Sequence, residues 1–358
     1  MHSTKYCVEQ FKKSKKIAII THSNPDADAL CSSIALKRLL KKMYDDENNN
    51  LKIDIFTQAD DIGDKYNPIL KGVTINEQSC KRYDLAISLD CASKERMGKY
   101  LTIFKKAKDT LNIDHHSTNT RFAKNNICAS KCSSTCEIIY SLFLKILNWE
   151  ASADIYRLIY AGIITDTNNL SQNVNGLTLR ILSELMKLNT TMDLNLEKVK
   201  DLFFKNNTKE QMSLLQRALN SIMFYENNKV AIMKLVKLDF NETNCTQEDT
   251  LGIVDYAINI KGVDIGVIFI KNENNTYYVS LRGKNNIDVS NIAKKMGGGG
   301  HKNMAAFQTK EGETLVDIKT KLLSYCKEEL AKIENEDDVV ENLFIEEHGA
   351  DNEDENKL

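Results

Sequence analysis

Short runs of β-branched and aliphatic residues recur near the start of this chain, each closed by polar residues and separated by segments of helical spacing. That alternation restricts the fold more than any other feature. "KKIAIITH" (15–22), "LKIDIFT" (51–57), "YDLAISLD" (83–90) and "TLNID" (110–114) read as strands. "ALCSSIALKRLLKKM", after the first of them, places Leu30, Ile34, Leu36, Leu39 and Leu40 at helical spacing. Strands alternating with helices argue for a parallel α/β sheet, which presents ligands at the carboxyl ends of its strands. From 133 to about 188 the pattern turns helical, and residues 189–228 are rich in Asn and Lys, with one connecting helix around "KEQMSLLQRALNSIMF". A second block then offers a strand "KVAIMKL", a helix near "TLGIVDYAINI", the strands "DIGVIFI" and "TYYVSLR", and a helix "VSNIAKKM" that runs into four glycines. The expected fold class is α/β: a larger N-terminal domain (1–190) with a mostly parallel sheet flanked by helices, a linker (191–228), and a smaller C-terminal α/β domain (229–333). Residues 334–358 read as an acidic, disordered tail.

Composition narrows the function classes. With 358 residues, 42% hydrophobic and 27% charged, the chain has material for two globular cores. No apolar run reaches the roughly 18 residues of a membrane helix, and the N-terminus lacks the apolar core of a secretory signal. A cytoplasmic protein without membrane contact is expected, its nine cysteines reduced. The net charge of -2 hides an asymmetry, because residues 334–358 hold eleven acids against Lys357 and leave the rest of the chain at +8. That excess suits a phosphate-bearing ligand.

The residues able to carry chemistry gather at the ends of the expected strands. His22 follows the first, with Asp26 and Asp28 in "THSNPDAD"; Asp90 ends another; Asp114, His115 and His116 end the next; and Asp166 closes the apolar stretch "YAGIITD". Singly, each aspartate reads as a strand-end cap, but together they form a cluster whose like charges raise one another's pKa. Divalent cations resolve that repulsion, and a mixed carboxylate and imidazole shell suits manganese or iron better than calcium, with magnesium as an alternative. Two such ions sharing a carboxylate form a clamp for phosphoryl chemistry. In the second block Arg282 ends a strand, and Gly297, Gly298, Gly299 and Gly300 precede His301. Backbone without Cβ atoms can approach a ligand closely, its N–H groups can form an anion-binding concavity, and Arg282 and His301 could hold a phosphate or carboxylate. Cys128, Cys132 and Cys136 read as buried thiols rather than zinc ligands, since no fourth ligand lies nearby.

Taken in order, "HSNPDADALCSS", "SLDCAS", "NIDHHSTN", "GIITDT" and "GGGGHK" make residues 15 to about 330 resemble the DHH phosphoesterases that carry a DHH-associated C-terminal domain. Within these, the chain is similar to the group of nanoRNases and pAp phosphatases, the bifunctional oligoribonucleases. The resemblance implies that His22 and Asp26 bind one divalent ion, that Asp28, His115 and Asp166 bind a second, and that Asp90 bridges them. The ions implied are Mn2+, with Mg2+ or Co2+ as alternatives. It further implies in-line attack of water on phosphorus, with Asp114 orienting a neighbouring imidazole and His116 neutralising a phosphate oxygen. Arg282, the glycines 297–300 and His301 would hold the far end of the nucleotide, the second domain closing over an active site in the cleft between the two. The implied substrates are RNA oligonucleotides of about two to five residues, degraded to nucleoside monophosphates, and pAp. Alternatives are linear or cyclic dinucleotides (pGpG, pApA, cyclic di-AMP), or a non-catalytic nucleotide-binding regulator on the same fold. A homodimer is an alternative to a monomer. Two departures from the family pattern stand out: Asn168, Asn169 and Leu170 replace a glycine and an aromatic residue after Asp166, which bears on base preference, and Ala306 replaces a glycine after His301.

Overall fold

The isoleucine-rich runs become strands buried on both faces. In the computed structural model, which describes residues 2–44, 50–59, 62, 66–272 and 274–349, the chain divides into two units, Met1–Asn206 and Asn207–Leu358. In the first unit β1 (Lys16–Ile20), β2 (Lys52–Phe56), β3 (Leu85–Leu89), β4 (Asp109–Asp114) and β5 (Asn125–Cys128) form a parallel sheet. Their order is β2-β1-β3-β4-β5. Successive side chains of a strand face opposite layers. Ile17 and Ile19 therefore join one core with Leu30, Ile34 and Leu39 of the helix Ala27–Tyr44 and with Ile155, Ile159 and Ile163 of the helix Ala153–Asp166. Ala18 and Ile20 join Phe56, Tyr83 and Phe104 in the other. The strand order reverses at β1, between β2 and β3, and a reversal of this kind opens a crevice outside the carboxyl ends of the strands. β5 is absent from the sequence reading because "NNIC" has no apolar alternation and each of its residues is only half-buried.

The second unit holds β6 (Met223–Tyr225), β7 (Val230–Leu235), β8 (Ile265–Lys271), β9 (Tyr277–Gly283), β10 (Gly299–His301) and β11 (Met304–Gln308). They are ordered β10-β11-β9-β8-β7-β6, with β7 and β8 parallel and the other pairs antiparallel. Val279 and Leu281 of β9 face a core with Phe269, Phe307, Ile318 and Leu322, whereas Ile268 and Ile270 of β8 pack with Leu214, Met233 and Ile253 on the other face.

The segment expected as a linker with one connecting helix holds two helices. Leu196–Phe204 seats Leu196 in the first unit's core, and Lys209–Asn220, capped reciprocally by Thr208 and Gln211, seats Leu214, Leu215 and Ala218 in a core of the second. The acidic segment expected to be disordered is also helical as far as Gly349, within the helix Leu315–Gly349. Ile318, Leu322, Cys326 and Leu330 of that helix recur every four residues and are buried, and a helix once anchored extends at low cost. Residues 350–358 of the expected tail lie outside the described residues. Among the described residues no helix is long and apolar enough to cross a membrane.

Candidate metal centre

The carboxylates and imidazoles converge on the crevice where the strand order reverses. His22 lies just beyond β1 and Asp90 just beyond β3, with Asp90 Oδ2 3.5 Å from His22 Nε2. Asp90 takes a left-handed backbone, φ 58°, which aspartate tolerates better than most residues. Its other oxygen, Oδ1, lies 3.5 Å from His115 Nε2 and 3.6 Å from His116 Nδ1. Asp90 thus touches imidazoles on both sides.

Helices supply the remaining carboxylates, so two of the expected strand-end residues are placed differently. Asp26 precedes the helix Ala27–Tyr44 and caps it, its Oδ1 accepting the Ala29 amide at 2.9 Å, while Oδ2 stays 3.8 Å from His22 Nε2. Asp28 lies in the first turn of that helix and Asp166 is the last residue of Ala153–Asp166; neither ends a strand. Among the described residues three groups of side chains bring their ligand atoms within 4.8 Å of one another and could each hold a metal ion: His22, Asp26 and Asp90; Asp28, His115 and Asp166; and Asp90, His115 and His116.

Several supporting residues carry no charge, and the sequence reading missed them. The helix that starts at Thr135 points the Thr135 and Cys136 amides at the two oxygens of Asp28, at 2.7 and 3.0 Å, and the Thr135 hydroxyl donates to Asp90 Oδ1 at 3.0 Å. Asn119 donates to Asp114 Oδ2, to the Asn112 side chain and to the Cys91 carbonyl. Asp114, fully buried, holds His116 Nδ1 at 2.7 Å. His22 Nδ1 is 2.8 Å from the Ser23 carbonyl, so it is the donor there and Nε2 is the nitrogen turned to the carboxylates. Gly162 allows a close approach: a Cβ there would lie 2.3 Å from Cys136 Sγ and 2.5 Å from Asp28 Oδ1.

Electrostatically the cluster is short of positive charge. Burial, then repulsion from Asp90 and Asp26, raises the Asp28 carboxyl, and burial with the fields of Asp28, Asp26 and Asp90 drives Asp166 well up. Asp90 shows the opposite balance: burial opposes its charge, yet the hydrogen bond to His22 and the fields of His115, His22 and His116 hold it below the usual carboxylate range. Burial likewise opposes charge on His22, but Asp90 and Asp26 outweigh it and lift the imidazole to about 9. Against the same burial, Asp114 and Asp90 raise His116. Asp166 Oδ2 is buried without a hydrogen bond, although it lies 3.2 Å from His115 Nε2, out of alignment for one. A buried carboxylate oxygen lacking a donor, in a set of hard oxygen and imidazole ligands, fits a divalent cation.

The candidate residues of the second unit occupy one end of its sheet. Arg282 Nε donates to Asp255 Oδ1 at 2.8 Å. Arg282 pairs across the ladder with Met304, and Met304 with His301, so the three share a rung and a face. The glycine run differs from the expected row of outward amides. Gly297 has φ 83°, and the Gly297 and Gly298 amides bond back to the Lys294 and Ala293 carbonyls, ending the helix Val289–Lys295. Gly299 and Gly300 then pair with Ala306 and Ala305 in a hairpin. A side chain at Gly298 would strike the Ala306 carbonyl oxygen at 2.2 Å, whereas at Gly299 it would meet nothing within 4 Å.

Comparison with known proteins agrees with this architecture. Residues 16–163 match the DHH family, N-terminal domain, and residues 227–328 match the DHHA1 domain. The bifunctional oligoribonuclease and PAP phosphatase NrnA of Thermus thermophilus is 27% identical over 322 residues, 88% of this chain and 90% of that protein. An exopolyphosphatase-related protein from Bacteroides fragilis has a similar structure, with a TM-score of 0.79 and 20% identity, covering 90% of this chain and 96% of that one. RecJ from Thermus thermophilus in complex with Mn2+ gives a TM-score of 0.55 at 12% identity, over 91% of this chain and 54% of its own. These two structures share the fold.

Proposed function

Because the chain belongs to the DHH family of phosphoesterases and carries a DHHA1 domain, we propose that it degrades very short RNA, about two to five residues long, to nucleoside monophosphates with the help of two divalent ions. Release of the 3′-phosphate of pAp is the second reaction proposed. Mn2+ is the proposed ion, as in the complex of RecJ, and the two reactions are those in the name of the Thermus relative. The position of Asp90 carries the reading: each of its oxygens faces an imidazole of a different ligand group.

In this proposal His22, Asp26 and Asp90 hold one ion, and Asp28, His115, Asp166 and Asp90 hold the other. When bound, the ions polarise the phosphate and make water a better nucleophile. The chain's own groups do the rest. The Thr135 and Cys136 amides fix both oxygens of Asp28, so this ligand needs little reorganisation. Asp114 fixes the ring of His116 and favours its cationic form, which can neutralise a non-bridging phosphate oxygen as charge builds there. Arg282, His301 and the glycines 297–300 would bind the remainder of the nucleotide, the open space beside Gly299 admitting it close to the backbone.

The test is release of AMP from 5′-phosphorylated diadenylate across a manganese titration, with pAp and a long oligoadenylate in parallel and His115→Ala as control. The expected result is manganese-dependent AMP release that is lost in His115→Ala and far slower on the long strand. Nucleotide binding without turnover at any manganese concentration, or equal rates on short and long RNA, would contradict it.

A further inference from the structure

One buried carboxylate next to the metal centre belongs to none of the ligand groups. Glu137 is 0% exposed. Its Oε2 accepts the Ser133 hydroxyl at 2.5 Å and the Thr178 hydroxyl at 2.8 Å. Oε1 is buried and meets no hydrogen-bond donor among the described residues. A buried carboxylate with one bare oxygen is costly, and two neutral hydroxyls do not neutralise it. Such departures from full pairing are expected chiefly where a functional site gains from them.

Glu137 holds two helix starts. Ser134 caps the helix that begins at Thr135, its hydroxyl accepting the Glu137 amide at 3.0 Å. Ser134 and Glu137 have the spacing of a capping box, but the carboxylate turns to Ser133 and Thr178 instead. Three consecutive hydroxyls thus have separate tasks: Ser133 donates to Glu137, Ser134 accepts its amide, and Thr135 donates to Asp90. The Thr135 and Cys136 amides, the first two of the helix, serve Asp28. Thr178 lies in the first turn of the helix Gly176–Met192, where the Asn175 side chain accepts the Leu177 and Thr178 amides and donates to the Lys131 carbonyl at 2.7 Å. That cap closes the segment leading away from Asp166. One carboxylate oxygen therefore joins the helix start that supports Asp28 to the end of the segment that follows Asp166.

We propose that Glu137 is a positioning residue, which braces the ion site of Asp28, His115 and Asp166 by fixing both helix starts to one oxygen. The inference rests on the two-ion reading above and concerns metal affinity, not turnover. The experiment is equilibrium dialysis of the full chain against Mn2+, with thermal unfolding in EDTA in parallel. It compares the wild type with Glu137→Ala, Glu137→Gln, Asp28→Asn, which marks the binding step belonging to this ion, and Phe104→Leu, a core change on the other face of the sheet. Residues that hold metal ligands in place contribute roughly 10–100-fold in affinity. Glu137→Ala should weaken the step marked by Asp28→Asn by about that factor and leave the other step unchanged. Glu137→Gln keeps an oxygen for both hydroxyls and should recover the affinity, while Phe104→Leu should lower the Tm and change neither step. Ser133→Ala removes one donor and little bulk; it should weaken the same step and carries the test should Glu137→Ala fold poorly. A lower Tm in Glu137→Ala or Ser133→Ala with both steps as in the wild type would overturn the inference, as would equal loss at both steps. A wild type that binds a single ion would overturn the two-ion reading itself and this inference with it, so the two failures are distinct.

Discussion

Gly162 has no polar side-chain atom, yet it sets how closely the helix Ala153–Asp166 approaches the Asp28 carboxylate. Adding one methyl group would force Cys136 Sγ or Asp28 Oδ1 to move, because the Cβ would sit 2.3 and 2.5 Å from them. Overpacking of this kind costs about 1–3 kcal/mol. Gly162→Ala is predicted to lose that much stability in urea denaturation and to bind manganese more weakly, since the displaced oxygen belongs to a proposed ligand. An unchanged midpoint with unchanged manganese affinity would show that the contact is loose. The charged members of the site were legible in the sequence, because His22, Asp90, Asp114, His115 and His116 each follow an apolar run that can only be a buried strand. Asn119, Thr135 and Gly162 were not. Neutral polar residues and glycines are common in every loop, and only the folded chain shows that Asn119 reaches back to Asp114 and Thr135 to Asp90.

At the scale of elements, the turn after the helix Ala153–Asp166 carries a visible cost. Asn168, Asn169 and Leu170 have φ angles of 46°, 53° and 68°. Asparagine tolerates the left-handed region; leucine does not, at a cost of about 1–2 kcal/mol. Leu170 is also 42% exposed, so little packing offsets that strain. Leu170→Gly is predicted to stabilise the protein by about 1 kcal/mol after the extra chain entropy of glycine is deducted, measurable as a higher urea midpoint. A lower midpoint would mean that contacts made by the leucine outweigh its backbone. The strands of the first sheet were legible where they are apolar on both faces, as "IAII" and "LAISL" are, while β5 and the β10–β11 hairpin were not. "NNIC" and "GGH" have no alternation to read, and their pairing comes from neighbours already in place.

The molecule as a whole should feel the crowded carboxylates through pH. In the metal-free protein Asp28 and Asp166 are raised and His22 is raised to about 9. A raised folded-state pKa gives stability that is complete below the unfolded value and is lost as pH climbs through the folded value. Unfolded carboxyls ionise near pH 4 and histidine near 6.5, so all three groups act in one direction between about pH 4 and 9. Asp90, held low, acts in the opposite direction only at more acidic pH. The Tm of EDTA-treated protein is predicted to fall steadily from pH 5 to 8.5, and manganese should remove most of that fall by stabilising the ionised ligands. A Tm that is flat in EDTA over that range would mean that the carboxylates do not repel one another as their burial implies. The two-unit plan was legible from the change of pattern after residue 188, and so was the connecting helix Lys209–Asn220, whereas the helix Leu196–Phe204 was not, because its few apolar residues sit in a segment rich in Asn and Lys. The proposed two-ion chemistry depends most on Asp90 serving both ions at once. Equilibrium dialysis against manganese, followed by elemental analysis, measures this directly. The wild type should bind two ions per chain and Asp90→Asn should lose affinity for both together; a wild type that binds a single ion, or an Asp90→Asn variant that still binds two with unchanged affinity, would contradict it.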